Sequence, residues 1–414
     1  MAPFFSVVMP TRNRAHLLRY ALQSVLEQTY EDFEVVVSDN SSSDSTSDVL
    51  RSVPDPRLRY VRTSAPLNMP DSWEFALSQA QGRYITYLCD DDAMGRDLLR
   101  NVAEVLRERE SEIVTWTHAT YFANNHPVER WRRHLAIPDC TGLQFVFQSR
   151  GSLADLFALR ASPAVVPRML NTCCSQDVVE RVRHHFGRLF LPPCPDYSSC
   201  AALLACTEEY VYIDKPLSIG GAGGESAGTA GRQDRGQALT TFLEEFGRQT
   251  VLDLSPIRVM TITNMITESL LRVKRAMPDR FVDHEIDWAK YFSDCYFELT
   301  SLHAGKAVIA AELQELRRAL SQRPVGFRAR VWAAYLRRAL PRNGLRWGGS
   351  LGGSVPFVRR FHRALQQRKT GTRIVVGEQE GFRNILSRRR CGSTTTSSGP
   401  TRFRGRISGF RARG

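Results

Sequence analysis

The chain has 414 residues, of which 42% are hydrophobic, enough for one large α/β domain with a sizeable core and a second region beside it. No stretch approaches the roughly 20 uninterrupted apolar residues of a membrane-spanning helix, and the opening MAPFFSVVMP lacks a basic flank before its short apolar run, so the sequence reads as a cytoplasmic protein without a secretion signal. The net charge of +13 is uneven: residues 323–414 carry 22 Lys and Arg against Glu378 and Glu380, a balance of +20, which leaves −7 on residues 1–322.

In chain order, PFFSVVMP reads as a first strand, followed by the polar turn TRNR and a helix whose Leu17, Leu18, Ala21, Leu22, Val25 and Leu26 share one face. FEVVVSD supplies a second strand, SDSTSDVLRSV a capped helix, LRYVR a third strand and SWEFALSQA another helix. YITYLC is a fourth strand that runs directly into Asp90, Asp91 and Asp92. A helix over about 94–110 and the strand EIVTWTHATYF continue this alternation, the pattern of βαβ units and a mainly parallel sheet. Residues 123–170 read as loops with a short strand near His134 to Ile137, followed by the helix QDVVERVRHHF, a proline-rich turn, a helix through ALLAC and a strand EYVYID. Apolar spacing turns helical from about Gln237 to Leu320, and two arginine-rich amphipathic segments, FRARVWAAYLRRAL and VPFVRRFHRAL, flank the link RWGGSLGGS. The boundaries this suggests are 1–235 for the main α/β domain, 236–322 for a helical extension, 323–387 for the basic amphipathic segments and 388–414 for a tail with too little apolar content to order itself. Nine cysteines without paired C-x-x-C spacing exclude a zinc framework and fit free thiols in a reducing compartment.

The acidic triplet carries the strongest chemical signal. Carboxylates gathered at the carboxyl end of a strand repel one another unless a cation lies between them, and Mg²⁺ or Mn²⁺ takes hard oxygen ligands and bridges them to a diphosphate. A solvated acidic turn at a helix N-terminus is the competing explanation. The other strand ends are polar too, which is where open α/β sheets bind ligands: Pro10, Thr11, Arg12 and Asn13 after the first, Asp39 and Asn40 after the second, and Arg62 leading to Asn68 after the third. A carboxylate such as Asp39 can accept from a base imide or a ribose hydroxyl, and Arg12 or Arg62 can pair with phosphate.

The series VVMPTRNR, VVVSDNSSSDST and GRYITYLCDDD, within residues 4–106, resembles family-2 glycosyltransferases of the GT-A fold, a Rossmann-like nucleotide-diphospho-sugar transferase architecture. The resemblance implies that Pro10, Thr11, Arg12, Asn13, Asp39, Asn40 and Asn68 serve the nucleotide, that Asp90 lies nearer the ribose, and that Asp91 and Asp92 hold a divalent metal at the diphosphate. Cys89 stands where the family's L-D-x-D-D pattern has its first Asp. The family also places an Asp base about a hundred residues further on, which maps to Asp196 in PPCPDYSSC, with Pro195 in place of the family's usual Glu; a helix N-cap is the other explanation for Asp196. DKPLSIGGAGGESAG resembles the loop that relatives fold over the diphosphate, its glycines allowing movement or close backbone approach. Trp116, His118, Arg150 and Ser152 are further acceptor-side candidates, with Trp116 equally suited to the core.

The resulting expectation is an inverting transfer of sugar from a nucleotide-diphosphate sugar, a UDP-sugar first, to a hydroxyl of a glycan or lipid-linked acceptor in bacterial cell-surface polysaccharide assembly. The basic segments have the composition of helices that rest on anionic lipid at the inner face of a membrane, or of a solvated face packed on the body. No RNA-binding signature accompanies the arginines, which argues against nucleic acid. A sugar nucleotidyltransferase would open with a Gly-rich, Lys-bearing loop that PTRNR does not offer, and a non-catalytic nucleotide-sugar-binding or scaffold protein of the same fold is the other alternative. No G-x-G-x-x-G follows the first strand, which argues against a dinucleotide oxidoreductase.

Overall fold

A computed structural model describes residues 2–226, 228, 244–246, 251–301, 306–339 and 372–376. The segments VPFVRRFHRAL and RWGGSLGGS, the tail 388–414 and the proposed 235/236 boundary lie outside the described residues, as does most of the helical pattern between 237 and 250.

Strand β1 (Phe5–Thr11) lies at the centre of the parallel part of the sheet, hydrogen-bonded in parallel to β2 (Phe33–Asp39) on one side and β4 (Tyr84–Tyr87) on the other; β3 (Leu58–Arg62) extends the sheet beyond β2. All seven β1 residues are buried, as a parallel strand covered on both faces requires. Each fully buried Val or Met there contributes about 1.5–3 kcal/mol from lost apolar exposure. Helix α1 (Ala15–Leu26) buries Ala15, Leu18, Ala21, Leu22 and Val25 against one sheet face, the periodic stripe read from the sequence. The crossovers α2 (Thr46–Arg51) and α3 (Met69–Ser78) return the chain to β3 and β4, and α3 starts where the Asn68 side chain accepts from the Asp71 amide at 3.0 Å.

After the acidic triplet the chain departs from the expected pattern. Helix α4 (Leu98–Arg109) begins four residues later than about Met94 because Ala93 and Met94 form a short strand, β5 (Ala93–Met94), paired with β10 (Glu209–Ala222). β6 (Ile113–Phe122) and β7 (His134–Pro138) match their predicted positions. The stretch read as loops also contains β8 (Gln144–Gln148) and α5 (Ser149–Phe157), and the vicinal thiols Cys173 and Cys174 lie in β9 (Thr172–Ser175), inserted antiparallel between β4 and β6. Helices α6 (Gln176–Phe186) and α7 (Pro195–Ala205) follow. The sheet order is β11-β7-β6-β9-β4-β1-β2-β3, with β11 (Thr372–Val376) antiparallel to β7 at one edge and β10 running parallel along β6. The eight described cysteines are free.

One sheet face packs Val7, Met9, Val35, Trp116 and Ile213 under α1 and α4. The opposite face packs Val8, Ile85, Tyr87 and Tyr212 under α3, α6 and α7, and this core runs without a break into α8 (Ile262–Ala276), α9 (Trp288–Ser301), α10 (Lys306–Ser321) and α11 (Val325–Ala339) through Leu270, Tyr291, Phe292, Leu316 and Val331. The C-terminal helices therefore share a core with α7, so α7 is clamped on both sides.

Candidate active site

The carboxyl ends of β1, β2 and β4 meet at one edge. At β4, Asp90 is buried and accepts from the Thr11 hydroxyl at 2.8 Å and from Arg14 Nη1 at 3.0 Å, so two groups from the β1 loop hold it. Arg14 also stands 3.7 Å from Asp91 and donates through Nη2 to the Glu225 carbonyl at 2.6 Å, tying the β1 loop, the acidic triplet and the segment after β10 together. Asp92 accepts the Gly221 amide at 2.8 Å. A side chain at position 221 would fall on the Asp91 backbone carbonyl, so only glycine permits this approach.

Cys89, Asp91 and Asp92 bring one ligand atom each to within 4.8 Å of one another. Burial pushes the Asp91 carboxyl up to about 6, with Arg14 opposing the rise and Asp90 adding to it. Burial and the Asp91 charge push Asp92 well above the usual carboxylate range. Burial and the same acids raise the Cys89 thiol, which therefore stays protonated and neutral. Among the described residues, the ion pairs of this cluster come from Arg14 alone, and Asp91 and Asp92 both offer hard oxygens, a donor set that fits Mg²⁺ or Mn²⁺. The neutral thiol adds no charge.

At β2, the buried Asp39 accepts from the Ser42 amide at 2.8 Å, the Tyr60 hydroxyl at 2.9 Å and Arg62 Nη1 at 2.8 Å. Asn40 brackets Leu67, donating to its carbonyl and accepting its amide, both at 2.8 Å. Asn68 is occupied as the α3 cap. Asn13 takes a left-handed conformation, φ 55°, and its side chain accepts the Ser43 amide at 2.7 Å, locking the β1 and β2 loops to each other. Arg12 pairs with Glu245 at 2.6 Å. Pro10 lies in β1 opposite Ser38, one position before the Thr11–Asp39 pair.

Asp196 occupies the first turn of α7, where its carboxylate meets the buried Arg168 at 3.2 Å. His118, on β6, abuts Gly220, and burial together with the Arg168 charge pushes its pKa down to about 4. Gly221 and Gly220 of β10 thus meet Asp92 and His118 at neighbouring positions, while Arg168 pairs with Asp196.

Other candidates lie elsewhere. Trp116 is core, with its indole N–H on the Ser218 hydroxyl at 2.9 Å. Arg150 pairs with Asp283 on the surface, and Ser152 bonds the Tyr210 hydroxyl; both sit beside the start of β10, at the opposite end of that strand from Gly221. The SIGGA stretch is strand rather than loop as far as Ala222. Sequence reasoning missed Arg14, Arg168 and Glu245. Only Arg14 left a trace, as the cation nearest in sequence to a triplet that lacked one.

Residues 6–158 match the profile of glycosyl transferase family 2. The chain carries a family-2 glycosyltransferase domain. The chain is 34% identical over 113 residues to the GalNAc(5)-diNAcBac-PP-undecaprenol beta-1,3-glucosyltransferase of Campylobacter jejuni, a stretch covering 27% of this chain and 35% of that protein. It is 31% identical over 126 residues to the putative colanic acid biosynthesis glycosyl transferase WcaA of Escherichia coli, covering 30% and 43%, and 55% identical over 62 residues to the validoxylamine A glucosyltransferase of Streptomyces hygroscopicus, covering 14% and 15%. The match thus spans less than half of each relative. Staphylococcus aureus TarS in complex with UDP-GlcNAc aligns over 80% of this chain and 89% of its own at 16% identity, with a TM-score of 0.44. Among the described residues, no helix is long and apolar enough to cross a membrane.

Proposed function

We propose that the protein is an inverting, metal-dependent glycosyltransferase that moves a sugar from a UDP-sugar to a hydroxyl of a glycan or lipid-linked acceptor in bacterial surface polysaccharide assembly. One observation carries this reading: two neighbouring carboxylates, Asp91 and Asp92, left short of compensating charge at the end of the β4 segment and beside the β1 loop of a family-2 domain. Asp91 and Asp92 would hold Mn²⁺ or Mg²⁺, which supplies neutralising charge for the diphosphate leaving group. Pro10, Thr11, Arg12, Asn13, Asp39, Asn40 and Asn68 shape the base and ribose side, Asp39 and the three asparagines by fixing the loops and the start of α3, and Asp90 faces the ribose with Thr11 and Arg14 behind it. Asp196 takes the proton from the acceptor hydroxyl as that oxygen attacks the anomeric carbon from the face opposite the diphosphate.

A panel of UDP-glucose, UDP-N-acetylglucosamine, UDP-galactose and GDP-mannose, each with Mn²⁺ or Mg²⁺, tests the reading through protection against thermal unfolding. At least one UDP-sugar should protect only when the cation is present. Protection by none, or undiminished turnover after exhaustive chelation, sinks it. Asp196→Asn should bind that donor as wild type does and lose transfer by roughly 10²–10⁴-fold.

We further propose peripheral contact with an anionic membrane through the basic region. On α11, Val325, Trp332 and Leu336 are exposed beside Arg330 and Arg337, a mixture suited to the lipid interface. Changing Trp332 and Leu336 together to Glu should release the protein from phosphatidylglycerol vesicles; unchanged association removes this part of the reading.

A further inference from the structure

We propose that Arg168 is a positioning residue that fixes the Asp196 carboxylate with one oxygen held and the other presented to the acceptor. The inference rests on the base role of Asp196 and extends it.

Arg168 precedes the short turn Met169–Asn171 that leads into β9, and only 8% of its surface is exposed. Its guanidinium has three partners at once: Nε donates to the Pro163 carbonyl at 3.1 Å, Nη1 donates to Asp196 Oδ2 at 3.2 Å, and the Tyr197 ring lies 5.6 Å below. Because the guanidinium is planar with a rigid donor fork, fixing it at the carbonyl and the ring also fixes where Oδ2 must lie. Among the described residues, Oδ1 of Asp196 has no hydrogen-bond partner, and the side chain stays 19% exposed, open to an incoming hydroxyl.

The backbone is equally constrained. Of the eleven α7 residues, the nine from Pro195 and from Tyr197 to Leu204 are buried, and the α8 to α11 helices close the core around them. Stability does not explain the arrangement, since a buried ion pair can often be replaced by well-packed apolar groups without loss. Its partners do explain it: the Pro163 carbonyl and the Tyr197 ring hold the guanidinium against one oxygen of Asp196 and leave the other open.

In the reaction the acceptor oxygen bonds to the anomeric carbon, its proton passes to Oδ1 of Asp196, and the sugar–phosphate bond breaks with its electron pair leaving on the nucleoside diphosphate. Arg168 keeps its proton throughout. Its contribution is orientation, and misplacing a reacting group by about 1 Å can cost on the order of 10²-fold.

The test follows UDP release from the UDP-sugar that protects best, with Mn²⁺ present and water as acceptor. Arg168→Gln should lower kcat roughly 30-fold while KM for the donor stays within about threefold, and Arg168→Lys, which keeps the charge without the fork, should recover only in part and remain about fivefold below wild type. In an Asp196→Asn background, Arg168→Gln should cost no more than about twofold further. An equal fold-loss in both backgrounds, a loss confined to KM, or an unchanged kcat overturns the positioning role while leaving the base role intact. Should Arg168→Gln fail to fold, Arg168→Lys decides alone: wild-type kcat in that variant overturns the proposal. Full activity in Asp196→Asn, or no release by wild type from any donor, removes the base role and the positioning role together.

Discussion

Two regions of this molecule bury carboxylates, and they treat them in opposite ways. In the C-terminal helices, the fully buried Glu268 accepts from the Leu254 amide at 3.1 Å, the Ser255 amide and hydroxyl at 2.8 and 2.7 Å, and Arg272 at 3.0 Å. Glu298 likewise accepts the Ile262 and Thr263 amides and the Thr263 hydroxyl at the start of α8. At the sheet edge, Asp92 has the Gly221 amide, and Asp91 has its own amide and a guanidinium 3.7 Å away. A buried acid surrounded by donors is structural: burial still raises the Glu268 and Glu298 carboxyls, but amides, hydroxyls and, for Glu268, a guanidinium offset much of that cost. A buried acid left short of charge among the described residues marks a candidate binding site.

The largest expected effect breaks the comparison at the sheet edge. Asp91→Ala should cut donor turnover by roughly 10³-fold, about 4 kcal/mol of transition-state stabilisation, yet leave the unfolding temperature equal or higher because a repelling charge has gone. A fall of several degrees would make Asp91 structural. Glu268→Ala should behave in reverse, losing about 2–4 kcal/mol of stability in urea unfolding as its donors and Arg272 are orphaned, with kcat of the folded fraction unchanged.

A third test uses pH. His118 titrates at about 4 in the folded chain, below the value of 6.5 for an unperturbed histidine. The unfolded chain thus binds more protons between those values, so His118 contributes stability that is complete above pH 6.5 and is lost as pH falls through 4. Between pH 7 and 4 the wild type should lose about 2 kcal/mol more than His118→Asn, after allowance for partial exposure; parallel curves would falsify the assignment. The smallest effect is that of Gly221→Ala, which should weaken cation-assisted donor protection about tenfold by pushing β10 off the Asp91 carbonyl, with protection by the wild-type amount as the contrary result.

The sequence by itself determined the β1 to β4 half of the fold and its polar edge. Strands and helices there are contiguous, strongly periodic and joined by short crossovers, so local pattern and global position coincide, and Thr11, Asp39 and Asp90 to Asp92 lie at successive strand tips. Only the tertiary structure decided the other half. Thr172–Ser175 is too short and irregular to announce itself, yet it inserts between β4 and β6; β10 runs past its predicted end because β6 and β5 supply partners for the SIGGA backbone. Arg14 on Asp90, Arg168 on Asp196 and Glu245 on Arg12 join residues 76, 28 and 233 positions apart. Spacing along a chain reports which face a side chain occupies, whereas the partner it meets across the fold is fixed only once the sheet and its covering helices have packed.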